Sequence, residues 1–204
     1  AIAWAWEFVT QYLKLPTDRL WATIFLDDDE AFNFWRDTGM PKERILRFDE
    51  SENFWGPAGD SGPCGPDSEF FYDYGKEVGC GKPSCAPNCA CGRFVEIGTL
   101  VFMQYNQDKN GKRTPLPKPS IDTGWGVERN IAVVQGKTSV YETDLFVPLM
   151  KRISRLAGKK YGADATRTTL MDSAEGMNDA NWSEKDVLSW RNKLSSFYSL
   201  VERY

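Results

Sequence analysis

The spacing of apolar and polar positions changes along the chain, and each change marks an element. Residues 1–14 carry Trp4, Trp6, Phe8 and Tyr12 at helical spacing, closed by Pro16. Apolar groups cover too much of that helix for a lone surface helix, so cover on more than one side is expected. Arg19 to Leu26 alternates and reads as a strand. Asp27 to Glu30 precede a helix over Ala31 to Thr38, where acids suit the helix N-terminus; Gly39 stops it. A short strand over Arg44 to Phe48 follows. Ser51 to Gly75 is rich in glycine and proline and reads as a shaped loop. Arg93 to Asn106 is a long strand, and Asp108 to Gly111 is a turn leading into a further run from Arg113. Asp144 to Lys160 is an amphipathic helix, with Leu145, Leu149, Ile153 and Leu156 on one face and Lys151, Arg152, Arg155, Lys159 and Lys160 on the other. Ser183 with Asp186 suits a helix start, and Val187, Trp190, Leu194, Phe197 and Val201 form one apolar stripe. Strands and helices in this order predict an α+β fold.

Composition narrows the chemistry. The 204 residues suffice for one domain with a substantial core, or one domain plus an appendage. No apolar run approaches the roughly 18 residues of a membrane span, and the opening has no signal-peptide pattern, so a cytoplasmic protein away from the membrane is expected. The chain opens inside a helical pattern without an initiator Met, which reads as a piece of something longer. A net charge of −4 creates no global field for RNA, so any nucleic-acid contact must be a local patch. The chain has no histidine, which excludes Ser-His-Asp and Cys-His catalysis and any His-ligated metal within it.

The stretch from Leu116 to Gln135 is the most informative. Asp122 ends an apolar-polar run, Gly124 and Gly126 follow, and Glu128-Arg129 open an apolar-periodic segment. Glycines let a backbone approach a ligand closely, and an arginine fork suits a phosphate or an aromatic face. The same pattern also describes a strand-to-helix turn with a solvated ion pair.

Four of five cysteines lie between Glu77 and Gly92: Cys80, Cys85, Cys89 and Cys91. Four thiolates satisfy tetrahedral zinc, but the spacing is not the paired C-x2-C form. A structural zinc, two disulfides and free thiols all remain open. Cys64, apart from them, reads as a small packed residue.

DTGWGVER (Asp122 to Arg129) followed by Gln135 resembles motif 3 of class II aminoacyl-tRNA synthetases in the form of alanyl-tRNA synthetases. Asn53-Phe54-Trp55, Gly59 to Pro66, Glu69, Tyr72 to Gly75, Arg93 to Ile97, Leu100 to Asn106 and Pro115 to Ser120 resemble the same family in order. The resemblance covers residues 1–161. It implies a partial class II antiparallel sheet with flanking helices, acting on ATP with Mg²⁺, alanine and tRNA. Asp122 would meet the substrate ammonium, and Trp55 and Gly124 would shape the methyl pocket. Arg129, the catalytic candidate, would grip ATP with Gly126, and Glu96 is a candidate to contact Mg²⁺ or adenosine, with a core-edge ion pair as the alternative. One position departs. The family carries an Asn two residues after Ile97 that helps hold the amino acid; here it is Thr99, which keeps an oxygen but loses the amide donor. Motifs 1 and 2, including the arginine for the ATP α-phosphate, are not found in this chain. Their loss is expected to expose strand edges open to self-association and to leave a remnant that binds alanine, nucleotide or a protein partner.

From Lys160 onward the sequence resembles a different family, the archaeal-type leucyl-tRNA synthetases, in the stretch after their KMSKS loop. The chain therefore reads as a chimera: residues 1–161 from an alanyl-type catalytic domain, residues 162–204 a helical tail, joined between Lys159 and Ala165.

Overall fold

The computed structural model describes residues 1–161 and 184–201. A sheet organises the first part. Its strands are β1 (Leu20–Phe25), β2 (Ile45–Phe48), β3 (Phe54–Trp55), β4 (Gly62–Asp73), β5 (Phe94–Gln107) and β6 (Arg113–Gly124), in the order β2-β1-β4-β5-β6 with β3 beside β4. β1 and β2 run parallel; every other pair is antiparallel. The α+β class and the antiparallel sheet with flanking helices are thus present. The chain divides into two compact units, Ala1–Asn130 and Ile131–Tyr204.

In the first unit, the opening helix α1 (Ile2–Glu7) continues into a π-helical turn over Phe8–Tyr12. Only one side is covered. Ile2, Ala5 and Val9 are buried, whereas Trp4 and Tyr12 are 78% and 71% exposed, so the expectation of cover on more than one side is not met. The buried positions follow the helical repeat; the extra aromatics lie outside it. Helix α2 (Asp29–Asp37) starts as the acids suggest, with Asp28 accepting a hydrogen bond from the Ala31 amide at 2.8 Å. Trp35, fully buried, joins α2 to the sheet. Its indole N–H donates to the Ser68 hydroxyl at 2.8 Å, and its ring packs against Phe70 with centroids 4.8 Å apart.

The stretch expected as a loop, Ser51 to Gly75, is mostly strand. After the short helix α3 (Glu50–Asn53), β3 and the twelve-residue β4 occupy it. Proline forbids a central strand only where its missing N–H belongs to the ladder. Here Pro66 sits where the β4–β5 register shifts, between Cys64 and Asp67, so the ladder tolerates it. Gly65 beside it has its Cα against the Phe102 carbonyl, where no Cβ fits.

A second irregularity matters more. Phe70 faces Gly98 while Phe71 faces Glu96, so Ile97 is an extra residue on β5. Residues three apart on an unbroken strand point to opposite faces. The bulge at Ile97 removes one step of that alternation, and the side chains of Glu96 and Thr99 meet. Beside the bulge the indole of Trp125 lies over Gly98.

Helix α4 (Val127–Val134) follows β6 and runs from the first unit into the second. In the second unit, α5 (Val147–Tyr161) forms as the periodicity predicts, but among the described residues its apolar face is only partly covered, Leu149 and Leu156 being 56% and 52% exposed. α6 (Glu184–Val201) carries the expected stripe in part: Val187 is fully buried, and the Lys193 ammonium lies 4.3 Å from the Trp190 ring centroid. Ser183, read as the start of this helix, and residues 162–182 lie outside the described residues. No described helix is long and apolar enough to cross a membrane.

A Cβ at residue 98 would stand 2.6 Å from two ring carbons of Trp125. Gly98→Ala is therefore expected to lower unfolding free energy by about 1–3 kcal/mol. Trp125→Leu in the same chain should recover part of that loss, measured by denaturant titration of both variants.

Candidate active-site cavity and cysteine cluster

The site is built by register. Across β4, β5 and β6, Glu69, Thr99 and Gly124 form one row; Asp67, Val101 and Asp122 form the next. Rows two residues apart share a face of a sheet. Trp55, paired with Gly65 through β3, closes one side. The result is a cavity of about 390 Å³ whose lining includes Trp55, Asp67, Glu69, Thr99, Asp122 and Gly124. Four positions expected from sequence, Trp55, Thr99, Asp122 and Gly124, therefore share one cavity. Trp55 is 37% exposed, and Asp122 accepts a hydrogen bond from the Thr123 amide at 2.8 Å.

Arg129 does not line this cavity. It sits in the first turn of α4, and Gly126 packs against its side-chain stem. Its guanidinium donates to the Glu96 carboxylate at 2.7 Å and to the Glu96 backbone carbonyl at 3.3 Å. Asn130 ties the same helix to β5, its amide donating to the Ile97 carbonyl at 2.7 Å. Glu96 is thus an ion-pair partner of Arg129, and its other oxygen accepts from the Thr99 hydroxyl at 2.7 Å.

Two lining acids, Asp67 and Glu69, are not among the site residues expected from sequence, although Glu69 is one of the positions that carry the resemblance. Burial pushes Glu69 up to about 8 from its ordinary 4.5, with the Glu96, Asp67 and Glu52 carboxylates adding to the effect. Burial likewise lifts Asp67 to about 6, against a hydrogen bond from the Asn53 amide at 3.0 Å. No spacing in the sequence sets these acids apart from surface ones; only the rows across the sheet do. Together with Asp122 they make a wall of carboxyl groups, whose ionised forms suit a cation and repel a phosphate. The donor set therefore fits an ammonium or a hard metal ion. For a triphosphate, the guanidinium at hand is that of Arg129, outside the cavity lining.

The cysteine cluster sits on the β4–β5 connection. Cys80, Cys85, Cys89 and Cys91 bring their sulfurs within 4.8 Å of one another. Sγ–Sγ distances are 3.8 Å for Cys80–Cys89 and 3.6 Å for Cys85–Cys91. A disulfide needs about 2.05 Å, so neither pair is bonded. Zinc at about 2.3 Å from each sulfur spans a tetrahedral edge of about 3.8 Å, and the cluster can hold such an ion. Gly81 and Gly92, with φ of +71° and +81°, turn the chain directly after Cys80 and before Arg93. The Arg93 amide, donating to Cys91, holds that thiol down at about 6. Burial would raise Asp73, but the Arg93 fork overcomes it and holds the acid below its ordinary range. That fork, at 2.7 and 2.6 Å, clamps the base of the loop. Cys64 is fully buried, as a small packed residue should be.

A carboxyl group whose folded-state pKa is raised stabilises the fold below its unfolded pKa and loses that contribution as pH rises through the folded value. Unfolding free energy is therefore expected to fall as pH rises from about 4.5 through about 8. Glu69→Gln should flatten the slope, and an unchanged slope would mean that Glu69 is not the group responsible.

Comparison with known proteins agrees with this architecture. The family model described as tRNA synthetases class II (A) matches residues 1–175. The match runs past the junction expected between Lys159 and Ala165. An alanine–tRNA ligase of Dehalococcoides mccartyi (strain CBDB1) is 60% identical over 165 residues, covering 81% of this chain and 19% of its own length. Those of Desulfosudis oleivorans and Petrotoga mobilis are 52% identical over 163 residues and 48% identical over 169, covering 79% and 82% of this chain and 18% and 19% of theirs. The chain spans about a fifth of the length of the curated relatives it matches. An α+β sheet with flanking helices and a family match over residues 1–175 together place this chain in the class II tRNA synthetase family.

Proposed function

We propose that this chain is the amino-acid-binding side of an alanine–tRNA ligase catalytic domain, a cytoplasmic protein that activates alanine with ATP for transfer to tRNA. The observation that carries the reading is the single cavity shared by Trp55, Thr99, Asp122 and Gly124. Asp122 pairs with the substrate ammonium. The Trp55 indole and the bare Cα of Gly124 line the part of the cavity where the methyl group would sit. Thr99 contributes a hydroxyl where relatives of this type carry an amide, so the amino acid is held less firmly. Arg129, with Gly126 beside it, is the group for ATP, and Glu96 lies close enough to it to meet Mg²⁺ or adenosine. Mg²⁺ bound with ATP would neutralise phosphate charge; the chain's own part is to hold the amine.

Alanine-dependent ATP–pyrophosphate exchange tests this. Asp122→Ala is expected to lower exchange by about a hundredfold or more, since truncating one partner of a charged pair costs about 2–5 kcal/mol. Exchange that does not depend on alanine, or that survives Asp122→Ala, overturns the reading. A second reading, a non-catalytic remnant that binds alanine, nucleotide or a protein partner, or self-associates, is favoured by β6. It is the last strand of the sheet, and every residue except Leu116 is exposed. Alanine binding by calorimetry without exchange, or a concentration-dependent mass in solution, would favour it. The tail over residues 162–204 belongs to the same proposal as a leucyl-type segment joined to an alanyl-type one, supported by its sequence resemblance.

The cysteine cluster is proposed as a structural zinc site that stiffens the β4–β5 connection. Purified protein is expected to carry about one zinc per chain, and Co²⁺ in its place should give thiolate-to-metal absorption. Cys85→Ser should abolish both. Full reaction of all four thiols without metal release would refute the site.

A further inference from the structure

Glu96 is shared by two groups with different surroundings. One carboxylate oxygen accepts from the Thr99 hydroxyl at 2.7 Å, and the other accepts from the Arg129 guanidinium at 2.7 Å. Thr99 lines the cavity; Arg129 does not. The Glu96 side chain is 30% exposed and that of Arg129 is 39% exposed, so the pair is only partly screened by water. We infer that Glu96 is a positioning residue that mechanically links the cavity wall to Arg129, so that occupation of the cavity by an amine is transmitted to the guanidinium. This rests on the reading of the cavity as an amino-acid site.

The chemistry is specific. A threonine hydroxyl has one proton to donate. Here that proton goes to Glu96, so Thr99 offers the cavity only lone pairs. It can accept from an ammonium but cannot donate to a carboxylate. An ammonium that hydrogen-bonds to this oxygen polarises the hydroxyl and strengthens its bond to Glu96, because linked hydrogen bonds reinforce one another. Glu96 then shifts against Arg129, which its own backbone carbonyl also holds at 3.3 Å. The bulge at Ile97 is what permits the relay, since Glu96 and Thr99 would otherwise lie on opposite faces.

The test is heteronuclear NMR of the whole chain titrated with L-alaninamide, which carries the amine without a carboxylate. The reporter is the Nε–Hε signal of Arg129, identified by its loss in Arg129→Lys. The amides of Thr123 and Gly124 report occupation of the cavity. In the unmodified chain and in Thr99→Ser, both sets of signals are expected to shift with the same midpoint. In Thr99→Val and Glu96→Gln, the cavity amides should still shift while the Arg129 response is lost. An Arg129 shift that persists in Thr99→Val, or is absent from the unmodified chain while the cavity amides respond, overturns the relay and leaves the cavity reading intact. If no cavity amide responds to alaninamide, the cavity reading fails and the relay with it.

Discussion

The candidate site depends on the register in which β5 is hydrogen-bonded to its two neighbours. β4 contributes Asp67 and Glu69, β6 contributes Asp122 and Gly124, and β5 carries Val101 and Thr99 between them. A slip of one residue on either side would turn that strand's contribution to the opposite face. The register is in turn secured at both ends. The Asp73–Arg93 fork closes the β4–β5 connection, and the Asp108 carboxylate, accepting from the amides of Asn110 and Lys112, shapes the β5–β6 turn. Within the sheet, Trp35 and Ser68 tie β4 to α2 through a buried hydrogen bond.

That register has an electrostatic consequence. It gathers several acids in one cavity, where burial and mutual repulsion push Glu69 and Asp67 toward their neutral forms. Glu96, nearby, is engaged by Arg129, which offsets one charge of the set. A cation entering the cavity would favour the ionised forms of these acids, while the guanidinium stands to one side. The cysteine cluster, on the same β4–β5 connection, stands on the other side of the Asp73–Arg93 clamp from these rows.

Much of this was legible from residue order. The strand at Leu20, the capped helix at Asp29, the turn at Asp108 and the glycine-bounded strand-to-helix step at Asp122 to Arg129 all follow from local chemistry acting over a few residues. The resemblance of motif 3 pointed to the family that the comparison then bore out. Ser51 to Gly75 reads as a loop from its glycine and proline content, yet a register shift gives Pro66 a place in a strand. The cysteines left zinc, disulfides and free thiols open, because spacing along a chain does not measure distances between sulfurs.

Sequence by itself determined the local elements, the family and the identity of the residues at Asp122, Gly124 and Arg129, since these rest on contacts between near neighbours and on ordered motifs. Tertiary structure alone decided which of them meet. It put Asp67 and Glu69 opposite Thr99 and Val101, brought four sulfurs to within bonding reach of one ion, and gave Arg129 to Glu96 rather than to the cavity. The reason is physical: strand pairing and a one-residue bulge act between segments far apart in the chain, and no pattern within either segment records where the other will lie.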